Sequence, residues 1–158
     1  MGIQKQKYIQ MRKNINRGYR KLRVWQDAGE LYVLTCRIFR KFPYDLKRVS
    51  SNQIASVDSI QRNIAEGYCR KSINEYLLFL NYALGSLGES VSSMHVYRQA
   101  EQITVEEFEN WDKLAYKLEN GLLKLIEKLQ YKKISQDWDD NFMVKESNVI
   151  YELTPREE

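Results

Sequence analysis

The chain has 158 residues, of which 43% are hydrophobic, and this suits one globular domain with a well-formed core. Its two cysteines, Cys36 and Cys69, have neither the number nor the spacing of a disulfide framework or a zinc site, so we expect buried free thiols. No apolar run is long enough for a membrane span, so we expect a soluble, cytoplasmic protein without a membrane partner. The formal net charge of +4 is unevenly distributed, with a basic beginning and an acidic end around a nearly neutral middle.

Residues 1–21 are interpreted as a basic N-terminal arm. Counted to residue 23, the chain carries eight basic residues and no acidic one, a charge of +8. Phosphate groups attract such a segment, so its cations are the candidate nucleic-acid contacts: Lys5, Lys7, Arg12, Lys13, Arg17, Arg20, Lys21 and Arg23. The alternative is a solvated leader, or one that lies against the acidic tail of a neighbouring chain.

Four helical segments are predicted between residues 22 and 133. Apolar residues at alternating spacings of four and three predict a first helix from Val24 to about Phe42, and Pro43 stops it. Ser50 and Gln53 have the spacing of a capping box and predict the start of the second helix.

The remaining helix ends are also predicted from local signals. Gly67 is expected to end the second helix in the left-handed conformation. Ser72 with Glu75, and Thr104 with the Glu three residues on, are capping boxes that predict the starts of the third and fourth helices. The predicted apolar seam of the third helix consists of Ile73, Leu77, Leu80, Leu84, Leu87, Val91 and Met94. Four helices with short connections predict an all-α fold, an antiparallel up-down-up-down four-helix bundle.

The third helix is apolar nearly all round in the stretch "YLLFLNYAL", which predicts burial on several sides. A lone bundle leaves each helix one solvated face, so we expect the surplus apolar area to contact another subunit. Gly85 and Gly88 are interpreted as permitting close helix packing. The predicted oligomer interface consists of Tyr76, Leu78, Phe79, Tyr82, Ser86 and Ser90. The alternative is a larger intramolecular core that uses the tail.

Residues 134–158 form an acidic C-terminal tail, with a charge of −5 counted from residue 137. A tail that only serves as a disordered extension needs few apolar residues. The apolar residues of this tail include Trp138, Phe142, Met143, Val149, Ile150 and Tyr151. We therefore predict that part of it docks on its own bundle or on a neighbour.

One polar cluster, in "NIAEGYCRKSINE" at residues 63–75, allows two interpretations. As a functional site, Asn63, Glu66 and Arg70 form a polar pocket beside Gly67, either at the end of the bundle or at the entrance of a ring of subunits. As structure, Glu66 and Arg70 are an ion pair four residues apart, and Asn63 bonds to backbone across a helix interface. The structural interpretation is the favoured one.

No catalytic residue, metal site or cofactor is predicted. The chain has a single histidine, His95, whereas a di-iron bundle needs Glu-x-x-His on two helices. A Ser-His-acid triad would have to use the same His95, and the chain contains no nucleophile-elbow sequence. We therefore expect a protein that is not an enzyme.

Several segments resemble a known family. They are "LRVWQDA" at 22–28, "KFP" at 41–43, "NIAEG" at 63–67 and "EYLLFLNYALGSLGE" at 75–89. Together they are similar to the four-helix-bundle proteins encoded in intervening sequences of bacterial 23S ribosomal RNA genes, over roughly residues 22–130. The resemblance implies a left-handed up-down bundle, commonly assembled into ring-like homopentamers, with no established enzymatic activity.

The resemblance also implies a relation to accessory proteins of diversity-generating retroelements, which form a more distant branch and bind a reverse transcriptase and nucleic acid. Family members commonly carry a basic pair in the second helix where this chain has Ala55 and Ser56. Two functions therefore stay open. One is an adaptor or structural oligomer that binds a protein partner, and the other is an accessory protein that binds RNA or DNA through its arms.

Overall fold

The computed structural model describes residues 17–70 and 72–136. These ranges form four α-helices, α1 (Arg23–Phe39), α2 (Lys47–Tyr68), α3 (Ile73–Gln99) and α4 (Val105–Ile134), and two short 3-10 helices, Gly18–Lys21 and Tyr44–Leu46. The described residues contain no strand, and the predicted all-α fold is confirmed. None of the helices in these ranges combines the length and apolarity that crossing a membrane requires.

Each helix packs against two others, so the four helices form a closed bundle in which α1 and α3 both contact α2 and α4. At two of these contacts, residue numbers rise along one helix while they fall along its neighbour, which makes α2 antiparallel to α3 and α1 antiparallel to α4. The pairs that show this are Gln53 with Ser90 and Ser59 with Ser86 between α2 and α3, and Asp27 with Lys117 and Thr35 with Trp111 between α1 and α4. The four-helix bundle is therefore confirmed, and its up-down-up-down order and left-handed turn stay predictions.

Thr35 and Trp111 form a buried polar link between α1 and α4. The indole Nε1 of Trp111 donates to the Thr35 hydroxyl at 2.8 Å, and that hydroxyl donates to the carbonyl of Leu31 at 2.7 Å. Both side chains are fully buried, so neither group has water as an alternative partner. The link fixes the register of α1 against α4.

The buried face of α3 differs from the predicted seam at every second position. The buried residues are Ile73, Tyr76, Leu80, Ala83, Leu87, Ser90 and Met94. The predicted Leu77, Leu84 and Val91 are only partly buried. The small residues Ala83 and Ser90 take the interior positions, and they allow α2 to approach α3 closely enough for hydrogen bonds between the two helices.

The connection between α1 and α2 differs from the prediction at both ends. α1 ends at Phe39 instead of Phe42, because the residue before Pro43 is disfavoured in the helical conformation. α2 begins at Lys47, and the Ser50 hydroxyl donates to the Phe39 carbonyl at 3.4 Å instead of capping a helix. The predicted cap at Ser50 is therefore wrong.

The starts of α3 and α4 agree better with their local signals. Thr104 and Glu107 form the complete capping box, in which the Thr104 hydroxyl accepts from the Glu107 N–H at 3.1 Å and the Glu107 carboxylate accepts from the Thr104 N–H at 2.9 Å. Ser72 caps α3 by accepting from the N–H of Asn74 at 3.2 Å. Glu75 does not complete that second box, and instead lies near Arg70.

The end of α3 has a Schellman motif built on a residue with a side chain. Glu101 takes a left-handed φ of 58°. Its N–H donates to the carbonyl of Arg98 at 3.0 Å, and the N–H of Gln102 donates to the carbonyl of Tyr97 at 2.9 Å. Glycine is the usual residue at this position, so Glu101 carries a conformational cost.

The packed part of the chain extends further towards the N-terminus than the boundary predicted at residue 22. The 3-10 helix Gly18–Lys21 packs against both α1 and α2. The ring of Tyr19 lies 5.5 Å from that of Trp25 and 6.3 Å from that of Tyr68, measured between centroids. The last residues of the predicted arm therefore belong to the bundle. The predicted docking of the tail lies outside the described residues.

Candidate functional site

The polar cluster at the end of α2 contains the predicted ion pair. Arg70 pairs with Glu66 one turn earlier, and its second terminal nitrogen lies 3.7 Å from the carboxylate of Glu75 in the first turn of α3. Its guanidinium also covers the ring of Phe79 at 4.8 Å. The ionic side chains are about half exposed, so the pairs contribute little energy. Arg70 connects the end of α2 to the start of α3.

Asn63 is not part of that cluster. Its side-chain amide donates to the backbone carbonyl of Ser59 at 2.8 Å and lies 3.0 Å from the hydroxyl of Ser59. Both bonds lie within α2, so the predicted bond across a helix interface is wrong. The structure therefore does not bring Asn63, Glu66 and Arg70 together as a polar pocket.

Gly67 has a different role from the predicted one. It lies inside α2 and is buried, and no glycine in the described ranges has a positive φ. A Cβ atom at this position would lie 2.9 Å from the Cβ of Phe79 and 3.2 Å from the carbonyl oxygen of Tyr76. Glycine is therefore needed here because the first turns of α3 lie against the end of α2, and not because the helix ends in a left-handed residue.

Small polar side chains form a hydrogen-bonded seam between α2 and α3 that the sequence interpretation missed. The hydroxyls of Ser59 and Ser86 lie 3.0 Å apart, and those of Ser56 and Ser90 lie 3.1 Å apart. The buried amide of Gln53 donates to the Ser90 carbonyl at 3.2 Å. Serines spaced three or four residues apart on both helices were the available signal. Each seam hydroxyl has a protein partner, so the seam serves packing.

The predicted interface residues fall into two groups. Tyr76 and Ser90 are 4% and 0% exposed and lie in the core of the chain itself, so they offer no surface to another subunit. Phe79 and Ser86 are half-buried. Leu78 and Tyr82 are 45% and 50% exposed, although both are large and apolar. The ring of Tyr82 meets the Phe79 ring edge-on, with 5.6 Å between the ring centroids.

One exposed stripe of α3 extends along nearly the whole helix. Its members recur at spacings of four and three, as one helical face requires, and we call it the α3 outer face: Leu78, Tyr82, Gly85, Glu89, Ser92 and Val96. A Cβ atom on Gly85, or on the nearby Gly88, would meet nothing within 4 Å. Neither glycine therefore permits close packing within this chain.

A cleft of about 440 Å³ lies between the start of α1 and the outer half of α4. We call it the α1–α4 cleft, and it is lined by Leu22, Arg23, Val24, Asp27, Lys117, Asn120, Gly121, Lys124 and Leu125. Lys117 donates to the Asp27 carboxylate at 2.7 Å, and this hydrogen bond and the charge of Asp27 raise the pKa of Lys117. Gly121 allows α4 to lie close to Val24 of α1 in the cleft, because a Cβ atom on residue 121 would lie 3.0 Å from the Val24 side chain.

Four cations lie in or just before the start of α1, and one of them, Arg23, lines the cleft. Arg17, Arg20, Lys21 and Arg23 are all exposed, and among the described residues none of them is paired with a carboxylate. The other four candidate nucleic-acid contacts, Lys5, Lys7, Arg12 and Lys13, lie outside the described residues. Half of the predicted basic set is therefore exposed on residues 17–23, which adjoin or begin α1.

The cysteines and the histidine form no shared site. Cys36 is half-buried and hydrogen-bonds to Tyr32, which raises the pKa of that tyrosine. Cys69 is exposed, contrary to the expectation of a buried thiol, although partial burial and the charge of Glu66 raise its pKa. His95 is exposed, with its ring 4.8 Å from that of Phe108. Within residues 17–70 and 72–136, no group of three or more His, Cys, Asp or Glu side chains could hold a metal ion.

The helix order and the antiparallel contacts define a four-helix-bundle protein. Residues 20–136 match the family described as 23S rRNA-intervening sequence protein. The match covers most of the chain, and the chain belongs to this family. A search of curated proteins finds no match. The further relation to retroelement accessory proteins stays a prediction.

Proposed function

We propose that this chain is a non-enzymatic bundle protein that self-associates through the α3 outer face and acts as an adaptor or structural binding module. A homopentamer is the assembly we expect from the family resemblance. The protein partner that such an oligomer would hold is unknown. The observation that carries the proposal is the exposure of large apolar side chains beside glycines along a single helix face.

Two features of that face support contact with another subunit. Leu78, Tyr82 and Val96 are each about half exposed, an arrangement that costs hydration free energy unless a partner covers it. Gly85 stands among them in mid-helix, where it destabilises the helix by about 1 kcal/mol relative to alanine. A helix from another subunit could approach closely at this glycine. Glu89 lies on the same stripe, so the interface must supply its carboxylate with a cation or water.

The test is the oligomeric state of charge-insertion variants. Leu78→Glu and Tyr82→Glu place a carboxylate on the α3 outer face, and each is expected to shift the protein towards smaller species in analytical ultracentrifugation. Val33→Glu is the matched control, because Val33 on α1 is 47% exposed, close to the 45% of Leu78, but lies away from this face. Circular dichroism establishes that each variant remains helical.

Self-association through α3 requires that the unmodified protein be an oligomer at micromolar concentration. A monomer at micromolar concentration contradicts self-association. Dissociation by Val33→Glu but not by Leu78→Glu moves the interface to another helix. A pentamer that neither α3 substitution dissociates would also show that the interface lies on another helix, although self-association itself would stand.

Nucleic-acid binding is a second candidate function, favoured by the exposed cations of residues 17–23, which the described residues leave without a carboxylate partner. Arg17, Arg20 and Lys21 project from a segment that packs on the bundle, so their positions are defined relative to Arg23 at the start of α1. A row of fixed cations attracts phosphates without needing base contacts. An oligomer would bring several such rows together and strengthen weak contacts by avidity.

Charge removal tests this candidate better than deletion, because residues 18–21 pack against α1 and α2. The triple variant Arg17→Gln, Arg20→Gln, Lys21→Gln is compared with a control that removes three exposed cations elsewhere, at Arg37, Lys41 and Arg48. Binding of single-stranded RNA and of duplex DNA is measured across a salt series. We expect the first variant to bind more weakly and with a shallower salt dependence than the control. Equal loss in both variants indicates only a general charge effect and removes the support for a defined site.

A further inference from the structure

The α1–α4 cleft has an apolar wall and an excess of positive charge. Leu22, Val24 and Leu125 line it, and the carboxylate of Asp27 is neutralised by Lys117. Arg23 and Lys124 remain, and within the described ranges neither lies within ion-pair distance of a carboxylate. The cleft therefore suits an extended segment that carries both apolar and acidic side chains.

Exposed cationic and aromatic residues lead from the cleft to the end of α4. Lys117, Lys124, Lys128 and Tyr131 are exposed and lie on one helical face, because their spacings of seven, four and three residues follow the helical repeat. The ring of Tyr131 is 71% exposed near the last turn. A segment that follows α4 and reverses direction would pass along this row before it reaches the cleft.

The chain itself supplies such a segment directly after α4. Residues 137–144, "DWDDNFMV", carry three aspartates, no cation, and the apolar residues Trp138, Phe142, Met143 and Val144. Gln136, at the end of the described helix, takes a left-handed φ of 57°. A left-handed residue after a helix turns the chain away from the helix axis. The geometry at Gln136 is therefore compatible with a reversal of direction.

The segment is long enough to reach the cleft. Lys124 lies ten residues before the last residue of α4, Ile134, which corresponds to about 15 Å along the helix. Eight extended residues span up to about 26 Å. Counted from Gln136, Asp139 and Asp140 reach back by up to about 10–13 Å, which is level with Lys128. Phe142 reaches back by up to about 20 Å, which is level with Lys124 and the apolar wall.

We propose that residues 137–144 fold back along α4 and occupy the α1–α4 cleft, with Asp139 and Asp140 beside Lys128 and Phe142 on the apolar wall next to Lys124. The charges are complementary, and burial of the Phe142 ring supplies an apolar contribution. This inference does not depend on the proposed function. It has a consequence for the second candidate, because the tail would withdraw Arg23 from any anionic partner.

The first experiment alters the apolar anchor in the full-length chain. The variant Phe142→Ser, Met143→Ser is compared with Val149→Ser, Ile150→Ser, which makes the same kind of change in the distal tail. The readout is acylation of Lys124 by an amine-reactive reagent, followed by mass spectrometry, with Lys113 as an exposed internal reference. We expect a severalfold rise in Lys124 labelling for the first variant and no change for the second.

Hydrogen exchange gives an independent readout on the same proteins. Backbone amides of residues 22–27 and 117–125 should exchange severalfold faster in the Phe142→Ser, Met143→Ser variant, whereas residues 53–60 in α2 should not change. A rise at all three regions would indicate general destabilisation, and it would contradict a docking contact local to the cleft. Labelling and exchange that match the unmodified protein in both variants would overturn the proposal.

Carbodiimide coupling distinguishes the chain's own tail from that of a neighbour. This reagent joins the Lys128 amine directly to a carboxylate of Asp139 or Asp140, provided the two groups are in contact. A mixture of light and heavy isotope-labelled protein is coupled and digested. We expect cross-linked peptides that are entirely light or entirely heavy. Cross-links between light and heavy chains would show that a neighbour's tail occupies the cleft, and would overturn the fold-back arrangement.

Discussion

The substitution Gly67→Ala tests whether the end of α2 is held closely against the start of α3. The new Cβ would lie 2.9 Å from the Cβ of Phe79 and 3.2 Å from the backbone oxygen of Tyr76. Neither of these atoms can move without a shift of the α3 backbone. Overpacking of this kind costs about 1–3 kcal/mol. Replacement of glycine by alanine within a helix returns about 1 kcal/mol. We therefore expect a net loss of about 1 kcal/mol in the free energy of unfolding.

A matched control is available in α1. Gly29 is also helical, but a Cβ there would meet nothing within 4 Å, so Gly29→Ala should stabilise the protein by up to about 1 kcal/mol. The two substitutions are chemically identical and should change stability in opposite directions. Urea denaturation at a fixed protein concentration measures both, because self-association makes the apparent stability depend on concentration.

Thermal unfolding offers a second assay for the same pair. For a chain of this length, about 1 kcal/mol corresponds to a change of roughly 2–4 °C in Tm. The argument from close packing is refuted by a Gly67→Ala variant that is stabilised as much as Gly29→Ala. That result would mean that α2 and α3 separate at this end without cost.

Further predictions concern stability and chemistry. Thr35→Val should lower the free energy of unfolding by about 1–3 kcal/mol, because it leaves the buried indole N–H of Trp111 without its acceptor. A double-mutant cycle with Trp111→Phe should show that the two substitutions are coupled, and additive effects would argue against the hydrogen bond. Glu101→Gly should raise stability by about 0.5–1 kcal/mol in urea denaturation, because it removes the left-handed strain at φ 58°; a loss of stability would contradict this account. Burial raises the pKa of Tyr76 above its ordinary value of 10.0, so the free energy of unfolding should fall as the pH rises beyond that value. Tyr76→Phe has no group to ionise there, so its free energy of unfolding should fall less over the same pH range. Purified protein should contain no stoichiometric metal by elemental analysis, and any hydrolase activity that His95→Ala abolishes would overturn the non-enzymatic proposal.

Local interactions explain why some helix ends could be predicted from the sequence and others could not. The capping box of Thr104 and Glu107 involves residues three apart, so the sequence contains everything that the interaction needs. The pattern at Ser50 looks the same, but the chain preceding it already forms a 3-10 helix that continues into α2. Ser50 therefore lies inside the helix, and its hydroxyl turns to the end of α1.

The burial pattern of α3 shows a second limit. A helix that is apolar nearly all round has several faces that could be buried, and periodicity alone does not choose among them. The choice of Ala83 and Ser90 over Leu84 and Val91 depends on α2, which presents Ser56 at the contact and approaches closely. Packing against a specific neighbour decided the interior face.

The same distinction applies to the candidate sites. The pair of Glu66 and Arg70 follows from a spacing of four residues on one helix, so the sequence by itself determined this pair. The sequence also determined the number of helices and the uneven distribution of charge. The α1–α4 cleft joins Arg23 to Lys124, which are about a hundred residues apart in the chain. No local pattern contains that proximity. Only the antiparallel packing of α1 on α4 brings the two cations to one surface, because it is the tertiary contacts that align distant turns of the two helices.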